Sequence, residues 1–181
     1  DVIDLDYTSL YPSVIKSLNL GIETLVGRII TENPTFNLWW SLSDLKEKDP
    51  NMEVGLEKLN LKTYIIKTAK IKIKDLISYI EENSLTISPN GTMFRTDIQS
   101  ISSEILENWF AMRVEMKKKM KEAYKSGNKE LGEHYNRMQH SFKILLNSHY
   151  GCYAINGWRY TDGHKILSSA ITTTGQRMIQ E

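Results

Sequence analysis

Two carboxylates, Asp4 and Asp6, sit on one side of an apolar alternation at the start of this 181-residue chain, and Thr8-Ser9-Leu10-Tyr11-Pro12 follows at once. Across residues 1–7, Ile3, Leu5 and Tyr7 point one way and Val2, Asp4 and Asp6 the other, which is the period of a strand. That period sets the two carboxylates about 7 Å apart on a shared face. A second set lies far along the chain. Arg113 and Lys117 are four apart, Lys143 and Asn147 are four apart, and Tyr150 follows three later. On a helix each set shares a face. Between Arg113 and Lys129 seven Lys or Arg stand against two Glu, a local excess of five positive charges on a chain whose net charge is +1. Such a patch suits an anionic ligand. A forked guanidinium grips one phosphate, and ammonium groups act as point charges for others. A solvated helix face accounts for the same charges, and helix spacing alone does not separate the two readings.

The stretch "KILLNSHYG" (residues 143–151) adds chemistry that a solvated face does not need. Lys143 offers charge for phosphate and Asn147 an amide for hydrogen bonding. Tyr150 offers a ring, and Gly151 a bare backbone that a flat group can approach. Together they describe the floor of a nucleotide site. Tyr150 taken alone reads equally as a core aromatic.

These residues need elements to hold them. Pro12 suits the first turn of a short helix over Ser13 to Leu18, ended by Asn19 to Gly21. Residues 31–62 are hard to read beyond an amphipathic helix over Leu38 to Lys46, where Trp39 and Trp40 read as packing residues. Residues 62–73 read as a strand and 73–83 as a helix, and Pro89-Asn90-Gly91 between two β-rich runs signals a hairpin. From Ser102 to Lys125, Ile105, Trp109, Met112, Met116 and Met120 step by three and four. After a break at 126–128, Leu131, Tyr135, Met138, Phe142 and Leu145 do the same, so an antiparallel helix pair is expected. Arg113 lies fourteen residues before Gly127 and Lys143 sixteen after it. At about 1.5 Å per residue both stand roughly 20 Å from the tip. Residues 158–163 read as a strand-like turn returning to the sheet, and a final helix starts at Ile166. The expected fold class is α+β: a small antiparallel sheet, carrying the Asp6 strand and the Pro89–Gly91 hairpin, with a long antiparallel helical hairpin.

Composition limits the alternatives. Hydrophobic content of 40% and charged content of 25% are ordinary for a globular chain. No stretch reads as a signal peptide, and no apolar run approaches a membrane span. A single cysteine, Cys152, excludes an internal disulfide and a cysteine-built metal site, and points to a reducing compartment such as the cytoplasm.

The residues carry a resemblance. "DYTSLYPS" (residues 6–13) is similar to the first palm motif of family B DNA polymerases, and "KILLNSHYG" resembles their fingers motif. "SPNGTMFRTD", "NWFAMRVEMKKKM" and "AITTTGQ" are similar to segments of replicative polymerases of large tailed bacteriophages. The resemblance implies a palm portion with an insertion over 1–101, fingers over 102–150 and a return to the palm over 151–181. It implies that Asp6 and the carbonyl of Tyr7 bind two divalent ions, magnesium with manganese as a substitute. It implies that Ser9, Leu10 and Tyr11 follow the triphosphate round the turn, with Tyr11 under the sugar excluding a 2′-hydroxyl. Arg113, Lys117 and Lys143 would grip phosphates with support from Asn147, and Tyr150 and Gly151 would lie at the nascent base pair. The position matching Asp4 is not a metal ligand in the family. Implied partners are primer–template DNA, deoxynucleoside triphosphates and, through further regions, a sliding clamp; no membrane is implied. No Asp-Thr-Asp follows residue 151. The expectation is therefore a polymerase fragment, inactive in isolation without that motif, a thumb and an exonuclease. The competing readings are a non-catalytic nucleic-acid-binding helical module, resting on the basic hairpin alone, and an unrelated nucleotide-binding enzyme, weakened by the lack of a Gly-x-x-x-x-Gly-Lys-Ser/Thr loop.

Overall fold

A computed structural model describes residues 10–30, 40–60, 65–154 and 166–180. The expected strand over 1–7, with Asp4, Asp6 and Tyr7, lies outside the described residues, as do Ser9, Trp39 and the turn at 158–163. The fold is α+β. Among the described residues five antiparallel strands run in the order β3-β2-β1-β5-β4: β1 Leu25–Ile30, β2 Glu53–Asn60, β3 Ile65–Lys72, β4 Leu85–Ile87 and β5 Thr92–Arg95. Helices are α1 Leu10–Ser17, α2 Leu42–Lys46, α3 Ile73–Glu82, α4 Ile101–Lys125, α5 Lys129–Ala154 and α6 Ile166–Gln180.

The sheet lies between two helical layers, and β5 shows how the sequence arranges it. Its consecutive residues Met93 and Phe94 are both fully buried. Side chains alternate along a strand, so Phe94 enters a cluster with Val14, Ile15, Leu106, Leu146 and Ile171, drawn from α1, α4, α5 and α6. Met93 enters the opposite cluster with Trp40, Leu45, Leu76 and Ile80, against α2 and α3. On β1, Leu25 joins the first cluster and Ile29 the second, although four residues apart they would share a face. A register irregularity between Leu25 and Gly27 switches the parity.

Two strands, β1 and β2, went unread in the sequence. Each carries a glycine that lowers strand propensity, and each glycine is there for close approach. A Cβ on Gly27 would lie 1.9 Å from the Glu57 carbonyl oxygen, and one on Gly55 would lie 2.5 Å from the Ile30 side chain. The Pro89–Gly91 hairpin forms as expected. The Gly91 N–H donates to the Ser88 carbonyl at 2.8 Å with Gly91 at φ +83°. Trp40, 4% exposed, is a packing residue as read.

Three helix boundaries differ from the sequence reading. The helix expected over Leu38 to Lys46 begins at Leu42, with Trp40 outside it and Ser41 as its cap. The first helix begins at Leu10 rather than Ser13, so Pro12 falls inside its first turn. The second long helix runs through Gly151 to Ala154. Between α4 and α5, Ser126-Gly127-Asn128 serves both ends. Asn128 N–H donates to the Ala123 carbonyl at 3.0 Å and Gly127 takes φ +77°, closing α4. The Asn128 Oδ1 then accepts from Leu131 N–H at 3.1 Å, capping α5.

Candidate active site

The base of the α4–α5 hairpin is fixed to the loop after α1. Asn19 holds φ 51°, a left-handed conformation that asparagine tolerates. Its Nδ2 donates to the carbonyls of Arg95, at 2.7 Å, and Ile98, at 2.5 Å, while its Oδ1 accepts from Ser100 N–H at 2.8 Å. Ser100 caps α4 through Ser103 N–H, and the Glu23 carboxylate accepts from Ile101 N–H at 2.5 Å. Lys16 on α1 pairs with Glu107 on α4 at 3.3 Å. A single residue, Asn19, thus ties α1, β5 and α4 together, and α4 rises from that knot as a 25-residue helix.

On this base the two ends of the sequence pattern meet. Tyr11, in the first turn of α1, stacks on Tyr150 of α5 with ring centroids 4.5 Å apart and planes 17° from parallel. Leu10 is half-buried against the core beside α6, where a Cβ on Gly175 would lie 3.4 Å from its Cδ2. Gly151 lies next to Tyr150 within α5, and a Cβ there would meet nothing within 4 Å. The bare backbone therefore opens a slot beside the tyrosine pair. Lys143 and Asn147, two turns and one turn earlier respectively, are exposed.

The basic stripe is assembled from both helices. Arg113 is 8% exposed, and Lys117 is half-buried one turn on. The charge of Arg113 foremost, then burial, then Lys121 and Lys143, hold the Lys117 ammonium below the ordinary lysine range. Lys143 belongs to the facing helix, so four cations from two helices, Arg113, Lys117, Lys121 and Lys143, share one field. A cluster whose members repel one another in the free protein gains most from a multiply charged anion.

Asp6, Tyr7 and Ser9, expected at this site, lie outside the described residues. Among the described residues no group of three or more His, Cys, Asp or Glu could hold a metal ion.

Two residues at the base, His149 and Tyr153, escaped the sequence reading. The His149 ring meets Trp109 edge-on at 6.0 Å and Tyr153 edge-on at 5.7 Å. Burial lowers its pKa from the ordinary 6.5, and its buried Nε2 has no hydrogen-bond partner among the described residues. Tyr153 is 5% exposed, and its hydroxyl bonds Ser102 Oγ, pinning the end of α5 to the start of α4. Burial foremost raises the Tyr153 phenol. The signal was present: His149 is three past Leu146 and four before Tyr153, both buried.

The model of DNA polymerase family B matches residues 1–181. The chain belongs to DNA polymerase family B. This family B chain is 28% identical over 99% of its length to the DNA polymerase zeta catalytic subunit of Saccharomyces cerevisiae, covering 10% of that protein. It is 27% identical over 97% of its length to the DNA polymerase of Ictalurid herpesvirus 1, covering 9%. The DNA polymerase of Orf virus is 27% identical over 98% of the chain, which covers 15% of it. The family B chain thus spans a tenth to a seventh of these relatives. The bacteriophage resemblance is carried by the segments quoted above and not by these relatives, which are a yeast protein and two viral ones.

Proposed function

We propose that this chain forms the triphosphate-binding part, palm plus fingers, of a template-directed DNA polymerase. The observation that carries the reading is the Tyr11–Tyr150 stack, which puts the first motif in contact with the second across 138 intervening positions of sequence. In the reaction a primer 3′-oxygen attacks the α-phosphorus of a deoxynucleoside triphosphate, the α–β bond breaks and pyrophosphate leaves. The charge lies on the phosphates, so catalysis is chiefly positioning and electrostatics. Arg113, Lys117 and Lys143 hold the β- and γ-phosphates. Asn147 supports them, and the opening amides of α1 at Leu10 and Tyr11, which a helix leaves without internal partners, face the anion beside Ser9. Tyr11 lies under the sugar and excludes a 2′-hydroxyl. Tyr150 and Gly151 flank the nascent base pair.

A carboxylate and a main-chain carbonyl are hard oxygen donors suited to magnesium, with manganese as a substitute. Asp6 and Tyr7 would supply them, and the ions would neutralise charge on the triphosphate. Partners are primer–template DNA and deoxynucleoside triphosphates, with a sliding clamp for the complete protein. The quoted segments favour a phage-type replicative parent working in the host cytoplasm.

The test is single-nucleotide incorporation kinetics in the complete polymerase. A charge-assisted hydrogen bond is worth roughly 1.5–3 kcal/mol. Arg113→Ala and Lys143→Ala should therefore each weaken triphosphate capture roughly ten- to a hundredfold. Lys118→Ala and Lys125→Ala, outside the two stripes, should change it little. Four equal effects would make the hairpin a diffuse electrostatic surface and favour a nucleic-acid-binding module.

A further inference from the structure

A ring that rejects one hydroxyl group must be held to within a fraction of an ångström. Tyr11 is poorly placed to hold itself. It stands in the first turn of an eight-residue helix, it is 37% exposed, and among the described residues its hydroxyl has no hydrogen-bond partner. Its orientation rests on the stack with Tyr150, at 4.5 Å and 17°. Tyr150 is the stiffer partner. It belongs to a 26-residue helix and packs on the cluster of Val14, Ile15 and Leu146 that forms the base of the hairpin. The stack covers one face of the Tyr11 ring, and on the reading above the sugar would lie against the other.

We propose that Tyr150 is a positioning residue for sugar selection, setting the Tyr11 ring at the height where it meets a 2′-hydroxyl. This rests on the reading of Tyr11 as the sugar-excluding residue. It is separate from any contact of Tyr150 with the base pair, because it runs through the face of the ring turned to Tyr11. Tyr150→Phe keeps that face, and Tyr150→Ala removes it. The phenol hydroxyl of Tyr150 plays no part, so phenylalanine should substitute fully.

The experiment compares kcat/KM for a ribonucleotide and its deoxy counterpart, opposite the same template base, in the complete polymerase carrying Tyr150→Ala, Tyr150→Phe, Tyr11→Ala and the Tyr11→Ala/Tyr150→Ala double substitution. Aromatic pairing energies imply that Tyr150→Ala raises the ribo-to-deoxy ratio roughly three- to tenfold. Tyr150→Phe should leave the ratio as in the wild type. The double variant should match Tyr11→Ala alone, since a support has no effect once the ring it supports is gone. If Tyr11→Ala raises the ratio and Tyr150→Ala does not, the positioning role is overturned while the role of Tyr11 stands. A double variant with additive ratios would likewise overturn it, because Tyr150 would then act on the sugar independently. If Tyr11→Ala leaves the ratio unchanged, the reading of Tyr11 itself fails.

Discussion

His149 shows what one residue contributes to a site it never touches. Its ring fills the space between Trp109 of α4 and Tyr153 of α5, and burial lowers its pKa below 6.5. The folded state therefore prefers the neutral ring. The stabilisation is complete above the unfolded pKa of about 6.5 and is lost as pH falls through the folded value. Melting temperature should drop between about pH 7.5 and pH 5 by more in the wild type than in His149→Phe, which keeps a flat ring and cannot titrate. Parallel pH profiles for the two proteins would show that His149 is not held neutral. Lys143, Asn147 and Tyr150 were legible because three residue types with complementary chemistry recur at one helical spacing. His149 was not singled out, because a lone histidine in a helix is compatible with surface, core and ligand roles; the spacing to Leu146 and Tyr153 hints at the core, and only Trp109, forty positions away, decides it.

At the scale of elements, the helices were legible and the central strands were not. Periodicity gave α4, α5 and α6 to within a few residues. Strands β1 and β2 were hidden because Gly27 and Gly55 interrupt their apolar pattern, and both glycines answer to a neighbouring chain that sequence does not reveal. Glycine has opposite meanings at Gly27 and Gly151, and the contrast is measurable. Gly27→Ala drives a Cβ to 1.9 Å from the backbone oxygen of Glu57, which cannot move without parting β1 from β2. The loss should be about 3 kcal/mol or more, at or above the usual range for overpacking, read by urea denaturation. Gly151→Ala meets nothing within 4 Å on a helix, so it should stabilise by about 0.5–1 kcal/mol. If the slot beside Tyr150 receives the base pair, the same change should slow correct nucleotide incorporation in the complete enzyme. A stabilised Gly151→Ala with unaltered incorporation would leave Gly151 no role at the base pair.

Across the whole molecule, two cores divide the work. The cluster around Trp40, Leu45 and Leu76 closes one face of the sheet with α2 and α3. The cluster around Ile15, Phe94 and Leu146 joins α1 to the hairpin and α6, and every expected nucleotide contact among the described residues is borne on that side. Arg177 of α6 reaches Asp44 of α2 at 2.8 Å and bridges the two layers. Against the desolvation that opposes it, hydrogen bonding to Arg177 and Ser41 with the Arg177 charge holds the Asp44 carboxyl below the usual range. On the proposed reading, such an arrangement folds around its own cores and binds a triphosphate without transferring it. The matched motifs carry one carboxylate proposed to bind metal, Asp6, and a pair of ions bridging attacking and leaving oxygens needs more than one. The 181 residues expressed alone should therefore melt cooperatively yet give no detectable primer extension with magnesium. A longer protein containing an Asp-Thr-Asp segment after residue 181 should extend the same primer. Extension by the 181 residues, in a preparation free of host polymerase, would return Asp4 to the list of metal ligands, since on a strand it lies on the face of Asp6 and only about 7 Å away.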